Sequence, residues 1–169
     1  MADIINILES RRSVRKFSSQ KVEKEKLDLL MRAALLAPTG RNAQPLFFVI
    51  LQNERKKEEL YERIPGLREC YYGADSILFC LIRTEDHLNE LNAGAACQNV
   101  LLEAESIGVA TCWIHRGRKL LDTEEGRKAL KEVLELSQEY VPSETVAIGY
   151  LDGEKPAMKD RRIDGCKIL

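Results

Sequence analysis

Four short stretches of this chain combine residue types that do chemistry. Residues 11–17 read Arg-Arg-Ser-Val-Arg-Lys-Phe. Arginine forks bind phosphate oxygens in pairs, so Arg11, Arg12 and Arg15, with Ser13 among them, are candidates for holding an anion. Residues 37–45 read Ala-Pro-Thr-Gly-Arg-Asn-Ala-Gln-Pro. Amides such as those of Asn42 and Gln44 donate and accept hydrogen bonds together, so these residues are candidates for holding a polar ligand. The same stretch also reads as a helix stop at Pro38-Thr39-Gly40 followed by a turn. Residues 108–115 read Gly-Val-Ala-Thr-Cys-Trp-Ile-His and contain the only tryptophan, Trp113. Trp113 reads equally as a core aromatic, and His115 as a surface histidine at a strand end. Lys159-Asp160-Arg161-Arg162 forms a second basic cluster.

Other chemistries lack their residues. There is no GxxxxGK[ST] phosphate loop, no GxGxxG and no GxSxG elbow. The two histidines, His87 and His115, lie in separate elements, which argues against a two-histidine metal site or a serine–histidine–acid hydrolase. His87 follows Asp86 and reads as an exposed residue before a helix. Five cysteines, at positions 70, 80, 97, 112 and 166, make an odd number with no CxxC. A disulfide framework, an iron–sulfur cluster or a zinc site is not expected, and no metal is assigned. No side chain is singled out as catalytic; if the protein is an enzyme, a cofactor carries the reaction.

Composition narrows the partners. Apolar residues make up 44% and charged residues 31% of 169, as in an ordinary globular domain. A net charge of −1 argues against a general polyanion binder, so no nucleic-acid partner is expected. No apolar run approaches the roughly 20 residues of a bilayer span, and the first residues do not read as a secretion signal; a cytoplasmic protein without membrane contact is expected. The charge is unevenly spread. Residues 1–16 carry four bases against two acids and residues 154–169 five against three, which leaves the body acidic. Chain ends often lie close together. Arg11, Arg12 and Arg15 would then meet Lys159, Arg161 and Arg162 in one anion site; the alternative is two solvated basic ends that never meet.

Periodicity supplies the elements that must position these residues. A short helix ends near Ser10. A second runs from Val22 to Ala37, stopped by Pro38 and Gly40. Leu46–Leu51 and Ser76–Ile82 are apolar runs of strand length. Glu54–Ile64 is a charged helix, followed by a loop to Gly73. Leu88–Ile107 is the longest helix, with small residues 93–97 in its middle; these suit close packing within one subunit or approach of a partner helix. Gly108 stops it. Val109–Ile114 is a strand, Thr123–Leu136 an amphipathic helix, and Glu144–Leu151 a last strand before a polar tail. Helices alternating with buried strands imply a sheet covered on both faces.

In this order and at these places, the four stretches resemble the nitroreductase family of FMN-dependent oxidoreductases, from Ile4 to about Arg162. The RRSxRxF and PTxxNxQP patterns are the specific parts. The resemblance implies an α+β, three-layer α-β-α sandwich over residues 1–169, with a four- to five-stranded mixed sheet, in an intertwined homodimer. It implies FMN as cofactor, NADH or NADPH as donor, and a nitroaromatic, quinone or similar small molecule as electron acceptor in a ping-pong cycle. By the same likeness, Arg11, Lys159 and Arg161 take the phosphate and ribityl end, and Arg12 and Ser13 face the pyrimidine edge, with Arg15 in the same set. A backbone N–H within Trp113, Ile114 and His115 approaches flavin N5. Pro38, Thr39, Asn42 and Gln44 reach the flavin of the other subunit. A flavin- or phosphate-binding protein without turnover is the alternative. Three departures bear on the acceptor: Leu46 stands where an aromatic is usual, His115 and Arg116 stand where glycines are usual, and the lid segments around 64–75 and 115–122 are short.

Overall fold

Leu46–Leu51 (β1) and Ser76–Ile82 (β2) are continuous apolar runs, and both become strands over those residues in the computed structural model, which describes residues 3–83 and 88–168. His87 lies outside the described residues. Their pairing is antiparallel, with Leu46 opposite Ile82 and Leu51 opposite Ile77. Two more strands, Ala110–Trp113 (β3) and Val141–Gly149 (β4), complete a sheet of order β1-β2-β4-β3. All three ladders are antiparallel. The expected mixed sheet is therefore corrected: among the described residues the single parallel contact is an isolated bridge between Ser13 and Thr111.

Side chains alternate across each strand, so the period of two sorts β2 into two cores. Ile77, Phe79 and Leu81 face one way, beneath Glu54–Arg63 (α3), Leu67–Cys70 (α4), His115–Leu121 (α6) and Glu124–Val133 (α7). Leu78 and Cys80 face the other way with Val146 and Ile148, beneath Lys24–Leu35 (α2) and Asn89–Ser106 (α5). This is the expected three-layer sandwich. Ile4–Ser10 (α1) buries no residue of its own and lies beside α5, where the Ser10 hydroxyl donates to Glu105 at 2.7 Å.

Local signals explain most boundaries. Thr123 caps α7, its hydroxyl accepting from the Gly126 amide at 3.0 Å. Gly108 takes a φ of 72° just past α5, where a side chain would be strained. The small residues Ala93, Ala96 and Cys97 are buried within the subunit. Helix α4 occupies a segment read as a loop, and α6 a segment to which periodicity assigned no element. The last strand begins at Val141, three residues before the expected start. Pro142 sits in it opposite Leu81, at the point where the β2–β4 register shifts by one residue. A bulge tolerates a proline that a regular inner ladder would not.

Candidate active site

The edge strand β3 organises the candidate site. Its outer side receives the N-terminal arm: Ser13 bridges Thr111, and the Val14 amide donates to the Thr111 carbonyl at 2.9 Å. Phe17 locks the arm by lying over Gly149, where a Cβ would stand 2.8 Å from the ring. Arg11, Ser13 and Arg15 are thereby held around Cys112. Burial pushes the Cys112 thiol up, while the Arg15 charge, the Ser13 hydroxyl and the Arg11 charge pull it down. Arg12 turns back on the chain, donating to the carbonyls of Glu9 and Arg11 at 2.6 Å each. Its Nε is buried with no partner. Neither Arg11 nor Arg15 has a carboxylate at ion-pair distance among the described residues.

Two residues beyond Thr111 on the same strand, Trp113 ends β3 half-exposed. Its indole N–H donates to Glu144 Oε2 at 2.7 Å. The ring lies over α5, where a Cβ on Gly94 would be 3.4 Å from it. Ile114 is buried, and both its backbone groups are engaged: its amide donates to the Thr145 carbonyl at 2.8 Å, and its carbonyl accepts from the Thr145 hydroxyl at 2.7 Å. In an antiparallel ladder alternate residues turn their amides outward. The expected N–H donor therefore narrows from three residues to two. Trp113 is on the outward side of β3, and His115 is the first residue of α6, where helix amides have no intrahelical partner.

His115 is not the strand-end residue expected. It opens α6 and places Nδ1 at 3.0 and 3.3 Å from the two oxygens of Glu144. Glu144 is 7% exposed and also faces the Arg118 guanidinium at 3.9 Å. Arg118 in turn donates to Glu90 at 2.6 Å. One buried carboxylate thus ties the tryptophan to the histidine. Sequence reading missed Glu144. The available signal was an acid within a strand otherwise apolar or hydroxylic, where an unpaired charge is costly.

The 38–44 stretch lies at the other edge of the sheet, leading into β1. Arg41, Asn42 and Gln44 have φ of 56°, 55° and 47°. Left-handed conformations at non-glycine residues cost on the order of 1 kcal/mol each and cluster at functional sites. The Thr39 hydroxyl accepts from the Gln44 amide at 3.1 Å, and Gln44 Nε2 donates to Asn42 Oδ1 at 3.3 Å. The Gly40 amide donates to Asn92 of α5 at 3.2 Å. A Cβ at Gly40 would stand 2.3 Å from the end of the Leu88 side chain, which would have to move aside. Thr39, Gln44, Phe48, Arg83 and Asn92 line a cavity of about 410 Å³. Asn92 Nδ2 is buried in this region without a partner. Pro38 precedes the loop and leaves the cavity wall to Ala37 and Thr39.

The C-terminal tail meets the arm earlier than expected. The Asp152 amide donates to the Lys16 carbonyl at 3.1 Å, and Lys16 pairs with Asp152 at 2.9 Å. Lys155 pairs with Glu105. Lys155, Arg12 and Glu105 line a small cavity of about 150 Å³ under the arm. Lys159 and Arg161 are exposed, and no hydrogen bond or ion pair ties either to the arm among the described residues.

The arrangement joins an arginine-rich arm to an aromatic strand end, with an amide-rich loop of left-handed residues at the far edge. The chain is similar to known proteins in sequence and fold. The nitroreductase family profile matches residues 8–67 and 73–150. An FMN reductase (NADPH) of Bacillus subtilis is 26% identical over 187 aligned positions, covering 96% of this chain and 73% of that protein. A Bacteroides fragilis nitroreductase crystallised with bound FMN superposes with a TM-score of 0.89 at 25% identity over all of both chains. An FMN-dependent nitroreductase of Clostridium difficile is 31% identical with a TM-score of 0.77, over 92% of each chain.

Proposed function

The chain belongs to the nitroreductase family, and we propose that it is an FMN-dependent oxidoreductase that passes electrons from NADH or NADPH to nitroaromatic, quinone or similar acceptors by a ping-pong cycle. The observation that carries this is the docking of the arm that bears Arg11, Ser13 and Arg15 against the edge strand ending in Trp113, with Ser13 bridging Thr111 two residues before that end.

The residues fit the cofactor. Arg11 and Arg15 lack carboxylate partners among the described residues, and Arg12 Nε is a buried donor with nothing to bond. A phosphate dianion answers such groups, each charge-assisted bond contributing about 1.5–3 kcal/mol. Bound FMN would supply the two-electron chemistry between nicotinamide and acceptor. The chain's own residues bind and orient: the arm holds the phosphate end, Trp113 walls the ring, and the outward amide of Trp113 or that of His115 meets the ring edge. Lys159 and Arg161 would join the phosphate end only if the tail shifts on binding.

The loop residues Pro38, Thr39, Asn42 and Gln44 serve the flavin of a second subunit in this reading. Strands β2 and β4 stand between β1 and β3, a separation of roughly 14 Å at the usual strand spacing. A second copy has a face to occupy. Ile4, Ile7, Leu29, Ala33, Leu36 and Leu102 line an apolar groove of about 450 Å³ between α1, α2 and α5. Ile4, Ile5 and Leu8 are exposed beside it.

The test is an absorption spectrum of the purified protein with FMN, before and after anaerobic NADPH. A flavin spectrum that bleaches is the expected result. Flavin that binds but does not bleach leaves a binding protein without turnover, and protein that takes up no FMN removes the proposal.

A further inference from the structure

We propose that His115 donates the proton that the electron acceptor needs, and that Glu144 is the positioning residue that aims it. The assignment rests on the functional reading above, which puts the reacting ring beside the Trp113–His115 segment.

A histidine on a surface helix normally samples several rotamers. Here Nδ1 is tied to a carboxylate that is itself 7% exposed and held by the Trp113 indole N–H at 2.7 Å. A carboxylate accepts only, so Nδ1 carries a hydrogen and Nε2 is the nitrogen left for another molecule. The His115 side chain is 54% exposed, and Nε2 has no partner among the described residues. The surroundings are known from each element. Glu144 comes from β4, Arg118 and the adjacent Arg116 from α6, and Glu90 from α5 by way of Arg118. Cys80 of β2 lies opposite Glu144 in the ladder and 3.7 Å from Cys97 of α5. The Cys97 thiol is pushed up by its contact with Cys80, by burial and by the Glu144 charge, so this flank brings no further charge.

An acceptor carbonyl that takes a hydride equivalent becomes an oxyanion and needs one proton. The Nε2–H bond of the imidazolium breaks, an O–H bond forms on the acceptor, and the neutral imidazole takes a proton back from water. The hydride, which carries both electrons, originates in the nicotinamide donor, with FMN, when bound, as the carrier between donor and acceptor; for a quinone, one hydride and one proton complete the hydroquinone. The pair therefore favours acceptors whose oxygen must be protonated over acceptors that take electrons alone.

Trp113, the only tryptophan, reports on the same carboxylate. In cofactor-free protein, His115→Gln is expected to move the Trp113 emission maximum, because the indole and the imidazole share one carboxylate. Glu144→Gln is expected to move the emission maximum, and Glu144→Asp to restore part of it. In the FMN-loaded protein, the ratio of quinone to ferricyanide reduction is expected to fall about 100-fold in His115→Gln, the scale of general-acid catalysis. Ferricyanide takes an electron and no proton. His115 is more than half exposed, so its substitution leaves folding intact even where a Glu144 variant does not. A wild type that binds FMN and is bleached by NADPH, with the ratio unchanged in His115→Gln, overturns this assignment alone. A wild type that takes up no FMN overturns it together with the functional reading. A Trp113 emission maximum unchanged in His115→Gln overturns the coupling through Glu144.

Discussion

Over one face of the sheet, α3, α4, α6 and α7 cover Ile77, Phe79 and Leu81 and expose no large aliphatic side chain among the described residues. Over the other, α2 and α5 cover Leu78, Cys80, Val146 and Ile148, yet Leu29, Leu35, Leu36 and Leu91 stand exposed, with Ile4, Ile5 and Leu8 of α1 beside them. The first face is also stitched across its rim, Arg63 of α3 pairing with Glu125 and Glu132 of α7 at 2.8 and 2.7 Å. The second has a groove instead. A contiguous apolar patch of this kind marks an interaction surface. One face is complete within a single chain; the other is finished by a second copy in the proposed dimer.

The contrast can be broken most severely on the closed face. Gly117 lets α6 sit against β4, because a Cβ there would stand 2.5 Å from the Tyr71 hydroxyl and 2.7 Å from that of Thr145. Gly117→Val should lower the unfolding free energy by about 3 kcal/mol, the upper range for overpacking, as read by urea denaturation. A variant as stable as wild type would show that α6 is not packed as described.

On the open face, Leu36→Glu should barely change the stability of an isolated chain, by about 0.5 kcal/mol or less, since the side chain is 69% exposed. It should nevertheless shift the protein to monomers in sedimentation and weaken FMN binding at least tenfold. A dimer that survives this substitution places the interface elsewhere.

The mildest expected effect is on pH. Burial pushes Glu105 up, but the hydrogen bonds from Lys155 and Ser10 and the charges of Lys155 and Arg11 outweigh it and hold the carboxyl below its ordinary 4.5. A depressed carboxyl contributes stability that is present above the unfolded value and lost as pH falls through the folded one. Amides of α1 and of residues 152–156 should therefore exchange faster, relative to core amides, as pH drops below about 4.5. Glu105→Gln should remove that dependence.

How much was legible before folding varied by element. Strands β1 and β2 were readable residue for residue, because uninterrupted Phe, Val, Ile and Leu runs of strand length have few other uses. Helix α6 was not. His-Arg-Gly-Arg-Lys-Leu-Leu carries a glycine that lowers helix propensity, and the reason for it, Tyr71 and Thr145, lies 46 and 28 residues away. In β4, Pro142 hid the first turn of the strand from any local rule. The arginines of the basic arm were readable as a candidate anion site, but the arm's docking on β3 depended on Phe17 finding Gly149.

Residue type and local periodicity alone determined strands β1 and β2, the long helices, the arginine arm, the amide-rich loop and the family they resemble, since each rests on neighbours within a few positions. Only the tertiary structure decided that Glu144 joins Trp113 to His115, that Lys155 rather than Lys159 meets the body of the protein, and that one face of the sheet is left apolar. Those outcomes depend on distances between residues far apart in the chain, which hydrophobic patterning does not encode.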